Sequence, residues 1–479
     1  MYENAGFFED SNRNAVIRND SVEKHGSPND EYYDPDGGTA FEGVVDEETE
    51  ADDEAEMNAK RVIAFCNGFV TTKVVAAVLT VIGVNVSYNL ATRKMEISGM
   101  PEIFSKTEAP NTLPVLICDY LAEKGVKTSL TTVVQRLHTM EDLNRFNPIV
   151  EMLERTACDG VDRIGIIIDI LGLSDNNPES IEIAERKARY RLYVTKWLHQ
   201  CVAMALNDED NPYSADGVLV LQGAQGIGKT LFFRKIAVES LWFGEGISVN
   251  MKKKDDLIKA TGKWIAEIGE LDDTLALKQS SLKSFLTFER DEIRSPWARV
   301  AVNKPRRTSF CGTVNPDRFL TDETGSRRFW VVKIKHIDLD ALLKLDKDWM
   351  HQLWAQVYQE LYLQNPQGFR LTKEEEAQLQ KDNMEFLVPI TGEMEILEKL
   401  CWDIPVEEWS YITMSELVKF VGGMNSGQAG KAVKRLQKRD PRIKEKKVHN
   451  NIRKYLLPLP MYGEDQTTGG FSVVKPFVS

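Results

Sequence analysis

A glycine-rich stretch followed by a Lys-Thr pair is the part of this 479-residue sequence that points most directly to chemistry. In "GAQGIGKT", Gly223, Gly228, Lys229 and Thr230 meet the spacing G-x-x-x-x-G-K-[ST], which is typical of loops that bind nucleotide phosphates. Glycines let backbone N–H groups curl around phosphate oxygens, and the helix that follows directs its positive end at the anion. Lys229 would contact the β- and γ-phosphates, and Thr230 would coordinate Mg²⁺. An ordinary glycine-rich turn is the alternative. The predicted ATP-binding residues are Gly223, Ala224, Gln225, Gly226, Ile227, Gly228, Lys229, Thr230 and Leu231.

Two acidic residues follow an apolar run in "KWIAEIGELDD", downstream of this loop. Hydrolysis of a nucleotide requires a carboxylate near the metal and a group that orients the attacking water. We predict that Glu267 lies on the Mg²⁺ side and that Glu270 is the water-polarising base, although the two roles could be exchanged. The alternative is a strand edge whose acids face solvent.

The next two strand candidates also carry polar residues at their ends. "RRTSFCGTVNP" ends in Thr313 and Asn315, and the carboxyl end of such a strand faces the nucleotide in open α/β sheets. Asn315 is therefore a candidate sensor of the γ-phosphate or of the attacking water. "TGSRRFWVVKI" places Arg327 and Arg328 at the start of another strand, where a guanidinium could act as an arginine finger on a neighbouring subunit. We favour Arg327 for this role, and a pair of sheet-edge arginines in ion pairs is the alternative.

Charge and pattern divide the chain into five predicted segments. Residues 1–59 hold 18 acidic and 3 basic residues, a net charge of −15, and are expected to form a disordered acidic tail that either binds a partner or only aids solubility. Residues 60–206 are predicted to be mostly helical, with a hairpin in "VNVSYNLATRKMEISG". Strands alternate with helices in 207–370, which predicts an α/β domain with a mainly parallel sheet. A helical connector (371–402) and a small basic domain (403–479) follow.

Several classes of protein are disfavoured by composition. No apolar stretch approaches the length that spans a bilayer, and the first residues show no secretory signal. The six Cys are scattered and the six His show no HExxH spacing, so we expect neither a zinc site nor a disulfide framework. These features predict a cytoplasmic protein, located in the host cytoplasm if a phage encodes it.

The last domain concentrates positive charge. From Lys431 to Lys454 there are 11 Lys/Arg and 2 acidic residues, in an order of helix, helix and basic hairpin that is typical of a winged helix. Lys431, Lys434, Arg435 and Lys438 are spaced to share one helical face and are the predicted contacts to duplex DNA. A small basic domain for oligomerisation or packing is the alternative.

The combined motifs resemble a known family. "LQGAQGIGKT", "WIAEIGELDD", "IRSPWAR", "FCGTVNPDRFLTDETGSRRFWVV" and, upstream, "NPIVEMLERTACDGVDRI" look like the ATPase core of the virulence-associated protein E family of phages and mobile genetic islands. That family is related to superfamily 3 replicative helicases. The resemblance implies an α/β P-loop NTPase core of the superfamily 3 or AAA+-like type, a hexameric ring with ATP between subunits, and a DNA-tracking hairpin. In "ARVAVNKPRRTSF" this hairpin would turn at Asn303-Lys304-Pro305, so that Lys304 contacts single-stranded DNA. An ordinary basic turn is the alternative.

These inferences predict an ATP-dependent DNA helicase or replication initiator. Its expected cofactors are ATP and Mg²⁺. Its expected partners are single-stranded DNA in a channel, duplex DNA at the C-terminal domain, further copies of the chain, and a primase or other replisome proteins, but no membrane. The first alternative is a DNA-binding regulatory ATPase that switches state without unwinding DNA. The second is a packaging motor or defence effector.

Overall fold

The computed structural model describes most of the chain between residues 47 and 458. The described ranges are 47–173, 181–247, 254–269, 271, 275, 282–294, 300–321, 326–390, 392–448 and 452–458. The fold is mixed α/β with several sheets. None of the described helices is both long enough and apolar enough to cross a membrane.

The first structural unit is a small helical layer against a three-stranded sheet. Its elements are α1 (Glu47–Ala64), α2 (Thr72–Val81), β1 (Asn85–Asn89), β2 (Lys94–Ser98), α3 (Ala109–Glu123), α4 (Leu130–Leu143) and β3 (Arg145–Phe146). The predicted hairpin is present, since β1 pairs antiparallel with β2, and β3 pairs parallel with β1. Helix α1 begins inside the segment predicted to be a disordered tail, whose residues 1–46 lie outside the described ranges. The C-terminal half of α1 is ordered against the protein because Ala59 and Ile63 are buried in one apolar cluster with residues of α2, in spite of the acidic composition of the segment.

The next helices belong to the central domain instead of this first unit. They are α5 (Pro148–Arg155), α6 (Arg163–Ile170) and α7 (Ile181–Ala205), with the short strand β4 (Leu171–Leu173) between α6 and α7. Asn147 caps α5, as its side chain accepts from the N–H groups of Ile149 and Val150. Helix α7 lies on the central sheet, where the Trp197 indole donates to the carbonyl of Phe310 at 2.9 Å. The predicted helical domain 60–206 therefore divides after β3.

A six-stranded sheet forms the centre of the molecule. The strands and helices are β5 (Val218–Gln222), α8 (Lys229–Ile236), β6 (Phe243–Ile247), α9 (Lys254–Thr261), β7 (Ile265–Ile268), β8 (Arg290–Ile293), β9 (Val302–Pro305), β10 (Ser309–Val314) and β11 (Phe329–Ile337). The order is β4-β11-β5-β10-β7-β6, and only β4 runs antiparallel to its neighbour. The predicted, mainly parallel sheet is thus confirmed. Strands β5 and β7 are buried along their whole length, which accounts for their continuous apolar sequences.

Strands β8 and β9 form a separate two-stranded hairpin just before β10. The prediction of a turn at Asn303-Lys304-Pro305 is wrong, because these residues pair within β9 and the connection spans 294–301, of which 295–299 lie outside the described ranges. The physical reason is the following residue, Arg306. Its side chain is fully buried and its Nε donates to Asp291 of β8 at 3.1 Å, which closes the base of the hairpin.

Helices after the sheet lead to the last unit. They are α10 (Leu339–Lys344), α11 (Lys347–Gln356), α12 (Lys373–Asp382) and α13 (Glu393–Lys399). Asn383, directly after α12, donates to the carbonyls of Ser326 and Phe329, so this part of the predicted connector is fixed to the central sheet. Helix α13 instead buries Ile396 among the side chains of the C-terminal unit. The C-terminal unit therefore includes α13, which the sequence analysis assigned to the connector.

The C-terminal unit has the predicted order of helix, helix and hairpin. It contains β12 (Ser410–Ile412), α14 (Met414–Val421), α15 (Ser426–Arg439), β13 (Glu445–Val448) and β14 (Ile452–Leu457), with a sheet order of β12-β14-β13. Thr413 and Glu416 form the capping box expected from their spacing. Leu417, Val433 and Tyr455 are buried together at its centre. Its identification as a winged helix stays a prediction.

Candidate functional site

The glycine loop lies where β5 ends and α8 begins, at the carboxyl edge of the central sheet. Gly226 and Gly228 have φ values of +82° and +93°, which side chains other than glycine rarely adopt. Gly228 is the N-cap of α8 and provides no side-chain cap for its first N–H groups. At Gly223, an added Cβ would lie 2.5 Å from the carbonyl oxygen of Ile334, so the backbones approach too closely for any larger residue. The loop therefore presents backbone and the positive end of a helix.

Lys229 is the buried cation of this loop. Its side chain is 6% exposed, and its Nζ donates to the carbonyls of Gly223 and Ala224, both at 2.7 Å, and to Asn315 Oδ1 at 2.9 Å. Burial lowers the pKa of Lys229, and the charge of Glu267 opposes that shift. The ammonium group is thus held inside the loop by neutral oxygens, within reach of the amide of Asn315.

Glu267 receives two hydroxyl groups on one carboxylate oxygen. Its Oε1 accepts from Thr230 Oγ1 and Thr313 Oγ1, both at 2.8 Å, and the residue is 3% exposed. Burial raises the pKa of Glu267, the two hydroxyl hydrogen bonds partly offset this, and the charge of Glu245 adds to it. A buried carboxylate next to a threonine hydroxyl is a set of hard oxygen donors, which suits Mg²⁺. In the described part of the chain, no group of three or more His, Cys, Asp or Glu could hold a metal ion by itself.

The order of the strands explains why these residues meet. The loop strand β5 lies beside β10, and β10 lies beside β7, so Asn315 and Glu267 come from the two strands next to the loop on one side. The register pairs Cys311 with Glu267 and Val314 with Gln222, which places their carboxyl ends at one level. Glu270, the predicted base, lies outside the described ranges.

Thr313 is a site residue that the sequence analysis mentioned without assigning a role. Its hydroxyl contacts the same oxygen of Glu267 as Thr230 does. A signal was available, because Thr313 is two residues before Asn315 at the end of one strand, and residues at that spacing face the same side of a sheet. It is the second hydroxyl group that orients the Glu267 carboxylate.

Arg327 and Arg328 lie at the opposite edge of the sheet from the loop. They form a 3₁₀ turn before β11 instead of starting the strand, and Phe329 pairs with Val218 at the beginning of β5. The loop begins level with Lys333, which is about 13 Å further along the strand at ~3.3 Å per residue. Neither arginine can therefore reach the loop of its own chain.

The two arginines have different surroundings. Arg327 is about half exposed (49%), and its Nη1 lies 3.4 Å from Glu376 Oε2. Arg328 is half-buried, its Nε has no hydrogen-bond partner among the described residues, and burial lowers its pKa. Of the pair, Arg327 is the one that faces solvent.

Lys304, the predicted contact to single-stranded DNA, is engaged within the protein. It lies in β9, and its Nζ donates to the Tyr88 hydroxyl of β1 at 2.6 Å and lies 4.3 Å from the centre of the Tyr88 ring. The lysine therefore joins the hairpin to the first structural unit, a position that the prediction did not include.

The predicted basic face of α15 is only partly present. Lys431, Lys434 and Lys438 are exposed, whereas Arg435 is 8% exposed. The Nη1 of Arg435 lies 3.6 Å from Glu393 Oε2 of α13, a carboxylate that is itself fully buried. The prediction that Arg435 shares the exposed face is wrong, because a buried acid from another helix draws its long side chain inward.

Comparisons with known proteins address the family. Residues 153–388 match the virulence-associated protein E-like domain. An apo structure of the C-terminal region of NrS-1 is 12% identical, with a TM-score of 0.40, and covers 80% of this chain and 98% of that one. An A-form apo structure of the same region is 13% identical, with a TM-score of 0.40. That match covers 80% of this chain and 99% of the other chain. No curated protein matches. The resemblance found in the motifs is thus confirmed, and residues 153–388 of this chain belong to the virulence-associated protein E family.

Proposed function

We propose that this chain is an ATP-driven DNA motor, a helicase or replication initiator of a phage or mobile genetic element, that works as a ring on single-stranded DNA. The observation that supports it most is the meeting of Lys229, Thr230, Glu267 and Asn315 at one point beneath a glycine loop. Each of these side chains has the chemistry that phosphoryl transfer requires: a cation, a metal-binding hydroxyl, a carboxylate and a polar group for water.

The loop would bind the phosphates of ATP. Lys229 now donates to two carbonyls and one amide oxygen, all neutral acceptors. An anionic phosphate oxygen is a stronger acceptor for an ammonium group, so bound nucleotide would compete well for it. The uncapped N-terminus of α8 adds N–H donors in the same direction.

Thr230 and Glu267 fit Mg²⁺. Their oxygens already lie 2.8 Å apart, and the ion takes few protein ligands because phosphates and water complete its shell. When bound, Mg²⁺ neutralises charge on the β- and γ-phosphate oxygens. Thr313 orients the Glu267 carboxylate from the second side, and Asn315 would hold the attacking water or the γ-phosphate. Glu270 remains our candidate for the base, and the two glutamates could exchange roles.

Arg327 would act on the nucleotide of a neighbouring subunit. It is exposed and lies at the edge of the sheet away from its own loop. Its ion pair with Glu376 is long and solvent-exposed, and such pairs contribute about 1 kcal/mol or less, so the guanidinium can leave it. Packing the amino edge of one sheet against the loop of the next copy would generate a ring, which we take to be a hexamer.

Duplex DNA would bind at the C-terminal unit. Lys431, Lys434 and Lys438 project from α15 into solvent, and the hairpin of β13 and β14 adds exposed Lys446 and Lys447. Cations arranged along one helix and one hairpin suit the phosphate backbone of a duplex.

Subunit mixing tests the proposal. Lys229→Ala and Arg327→Ala should each lack ATP turnover, since one loses the phosphate cation and the other the trans-acting guanidinium. Mixed rings contain interfaces with an intact loop and an intact arginine, so partial turnover should return. Mixed rings that co-assemble yet stay inactive would contradict a finger acting between subunits. Strand displacement on a forked duplex then separates a motor from a regulatory switch, which would hydrolyse ATP without unwinding.

A further inference from the structure

Asn315 opens an exposed connection of four residues, 315–318, which we call the sensor turn. Before the turn, Val314 is buried at the end of β10. After it, Phe319 is buried again, and its N–H group donates to the carbonyl of Phe386 at 2.8 Å. Both ends of the sensor turn are therefore held by the core, whereas the position of the turn itself depends on the contacts of its own residues.

Asp317 attaches the sensor turn to two neighbouring strands. Its Oδ1 accepts a hydrogen bond from Gln222 Nε2 at 3.1 Å, and the Nζ of Lys333 lies 3.2 Å from the same oxygen. Gln222 is the last residue of β5, and Lys333 of β11 pairs with it in register, so the two side chains lie on one face of the sheet. One carboxylate thus joins the turn to β5 and to β11. We call these three side chains the clamp.

Gln222 is the buried member of the clamp. It is 2% exposed, and its Nε2 also lies 3.4 Å from the carbonyl oxygen of Asn315. Its Oε1 is buried, and no described residue donates to it. Reversing the amide would direct that oxygen at the carboxylate of Asp317, so the donor has to face the turn. A buried amide oxygen without a donor is costly, a cost that an apolar side chain would not have. Stability therefore does not explain the glutamine, whereas its hydrogen bonds to the sensor turn do.

The clamp lies next to the residues that would meet the nucleotide. Gln222 directly precedes Gly223, the first residue of the glycine loop. Asn315 Oδ1 accepts from Lys229 Nζ at 2.9 Å, so the NH₂ group of that amide is the part that can donate to a phosphate or a water. The direction of this group depends on the backbone of the turn, which Asp317 holds two residues further on. A displacement of ~1 Å at a reacting group can lower a rate about 100-fold.

We propose that Asp317 and Gln222 are positioning residues for ATP hydrolysis, which fix the sensor turn so that the amide of Asn315 meets the γ-phosphate or the attacking water. Lys333 holds the carboxylate of Asp317 from β11. The clamp acts through Asn315 and not on the nucleotide itself, so it should affect the rate of hydrolysis more than the binding of nucleotide. This inference rests on the ATP-driven function proposed above, and it adds the groups that align its sensor residue.

Two substitutions in the full chain remove the clamp and leave the core intact. Asp317 is 77% exposed, and exposed ion pairs add little to stability, so Asp317→Ala should keep the melting temperature of the wild type. Gln222→Met keeps the length of the buried side chain and removes both the donor and the oxygen that lacks one, so it should not lower the melting temperature either. In steady-state ATP turnover with Mg²⁺ and single-stranded DNA, each variant should lower kcat by about 10- to 100-fold. The Kd of N-methylanthraniloyl-ADP, measured by its fluorescence, should not change.

Combined and conservative variants test the route through Asn315. In an Asn315→Ala background, Asp317→Ala should cause no further loss of kcat, because the amide that the clamp positions is already absent. Asp317→Asn keeps an oxygen that can accept from Gln222 and should recover part of the kcat that Asp317→Ala loses. Glu56→Ala, the control, removes the carboxylate from an ion pair with Lys60 in α1 and should change neither kcat nor the Kd.

The outcomes separate the clamp from the proposed function. If the wild-type chain turns over ATP and both clamp variants match its kcat, the clamp is overturned and the motor stands. A loss of kcat that is accompanied by an equal loss of affinity for the ADP analogue, or by a lower melting temperature of Gln222→Met, would show a structural role and also overturn the clamp. A further loss of kcat in the Asn315→Ala background would contradict the route through Asn315. No ATP turnover by the wild-type chain would contradict the motor itself, and the clamp with it.

Discussion

Replacing Glu267 with glutamine should stabilise the fold at neutral pH and at the same time remove ATP turnover. The carboxylate is 3% exposed, and burial raises its pKa although two hydroxyl groups donate to its Oε1. Burial therefore disfavours the charged form of this carboxyl group in the folded protein. Glutamine has nearly the same shape, carries no charge, and its Oε1 can accept from Thr230 and Thr313 as before.

The magnitude follows from the pKa shift. A group whose folded pKa is raised contributes stability that is fully present below its unfolded pKa and is lost as the pH rises through the folded pKa. For Glu267 the loss begins near its ordinary value of 4.5 and is complete above the raised value. Each unit of the shift corresponds to about 1.4 kcal/mol. For a chain of 479 residues, with an unfolding entropy of ~2.1 cal/mol/K per residue, ~1.4 kcal/mol raises the melting temperature by about 1–2 °C. The glutamine variant does not titrate, so it keeps that stability at pH 7.

Thermal unfolding followed by circular dichroism, without nucleotide or Mg²⁺, measures this difference between pH 4 and pH 8. The melting temperature of Glu267→Gln should exceed that of the wild type at pH 7, and the gap should close as the pH falls to 4.5. Glu398→Gln, at an exposed position, should show no such gap. Equal melting temperatures of the variant and the wild type at pH 7 would refute the reasoning, and so would a difference in melting temperature that does not depend on pH. Steady-state ATP turnover with Mg²⁺ should be lost in Glu267→Gln and retained in the control.

Two further predictions concern the loop and the hairpin. In urea unfolding, Gly228→Ala should lower the free energy of unfolding by more than Gly226→Ala does. Both substitutions cost about 1–2 kcal/mol because the backbone is left-handed, but only alanine at 228 would also place a Cβ 2.5 Å from Leu339 Cδ2. Equal losses would show that the Leu339 side chain moves aside freely. Asp291→Asn should lower the free energy of unfolding by about 3–5 kcal/mol, because it removes the carboxylate that pairs with the buried guanidinium of Arg306. The pKa of Asp291 is lowered, so this contribution is present above its ordinary value of 3.8 and is lost as the pH falls through the folded pKa; a deficit that persists unchanged at lower pH would contradict the ion-pair origin.

The core of the candidate site could be predicted because its signals are local. The loop needs glycines at fixed intervals and a Lys-Thr pair, and all of these lie within eight residues, Gly223 to Thr230. The strand that carries Glu267 and the strand that ends just before Asn315 are both buried, so each is a short apolar run that can be recognised without its partners. Once a mainly parallel sheet is inferred, polar residues at the carboxyl ends of strands are expected at one edge.

The sequence by itself thus determined the loop, the strands around it and the family, whereas only the tertiary structure decided which charged groups are available to a ligand. Arg435 and Lys304 carry charges that any reading of the sequence would assign to DNA, yet Glu393 draws the first inward and Tyr88 engages the second. The partners of these cations come from distant parts of the chain, as Arg93 and Asp291 do across 198 residues. A charge is a property of one residue, but its counter-ion, its burial and its exposure depend on which elements the fold brings together.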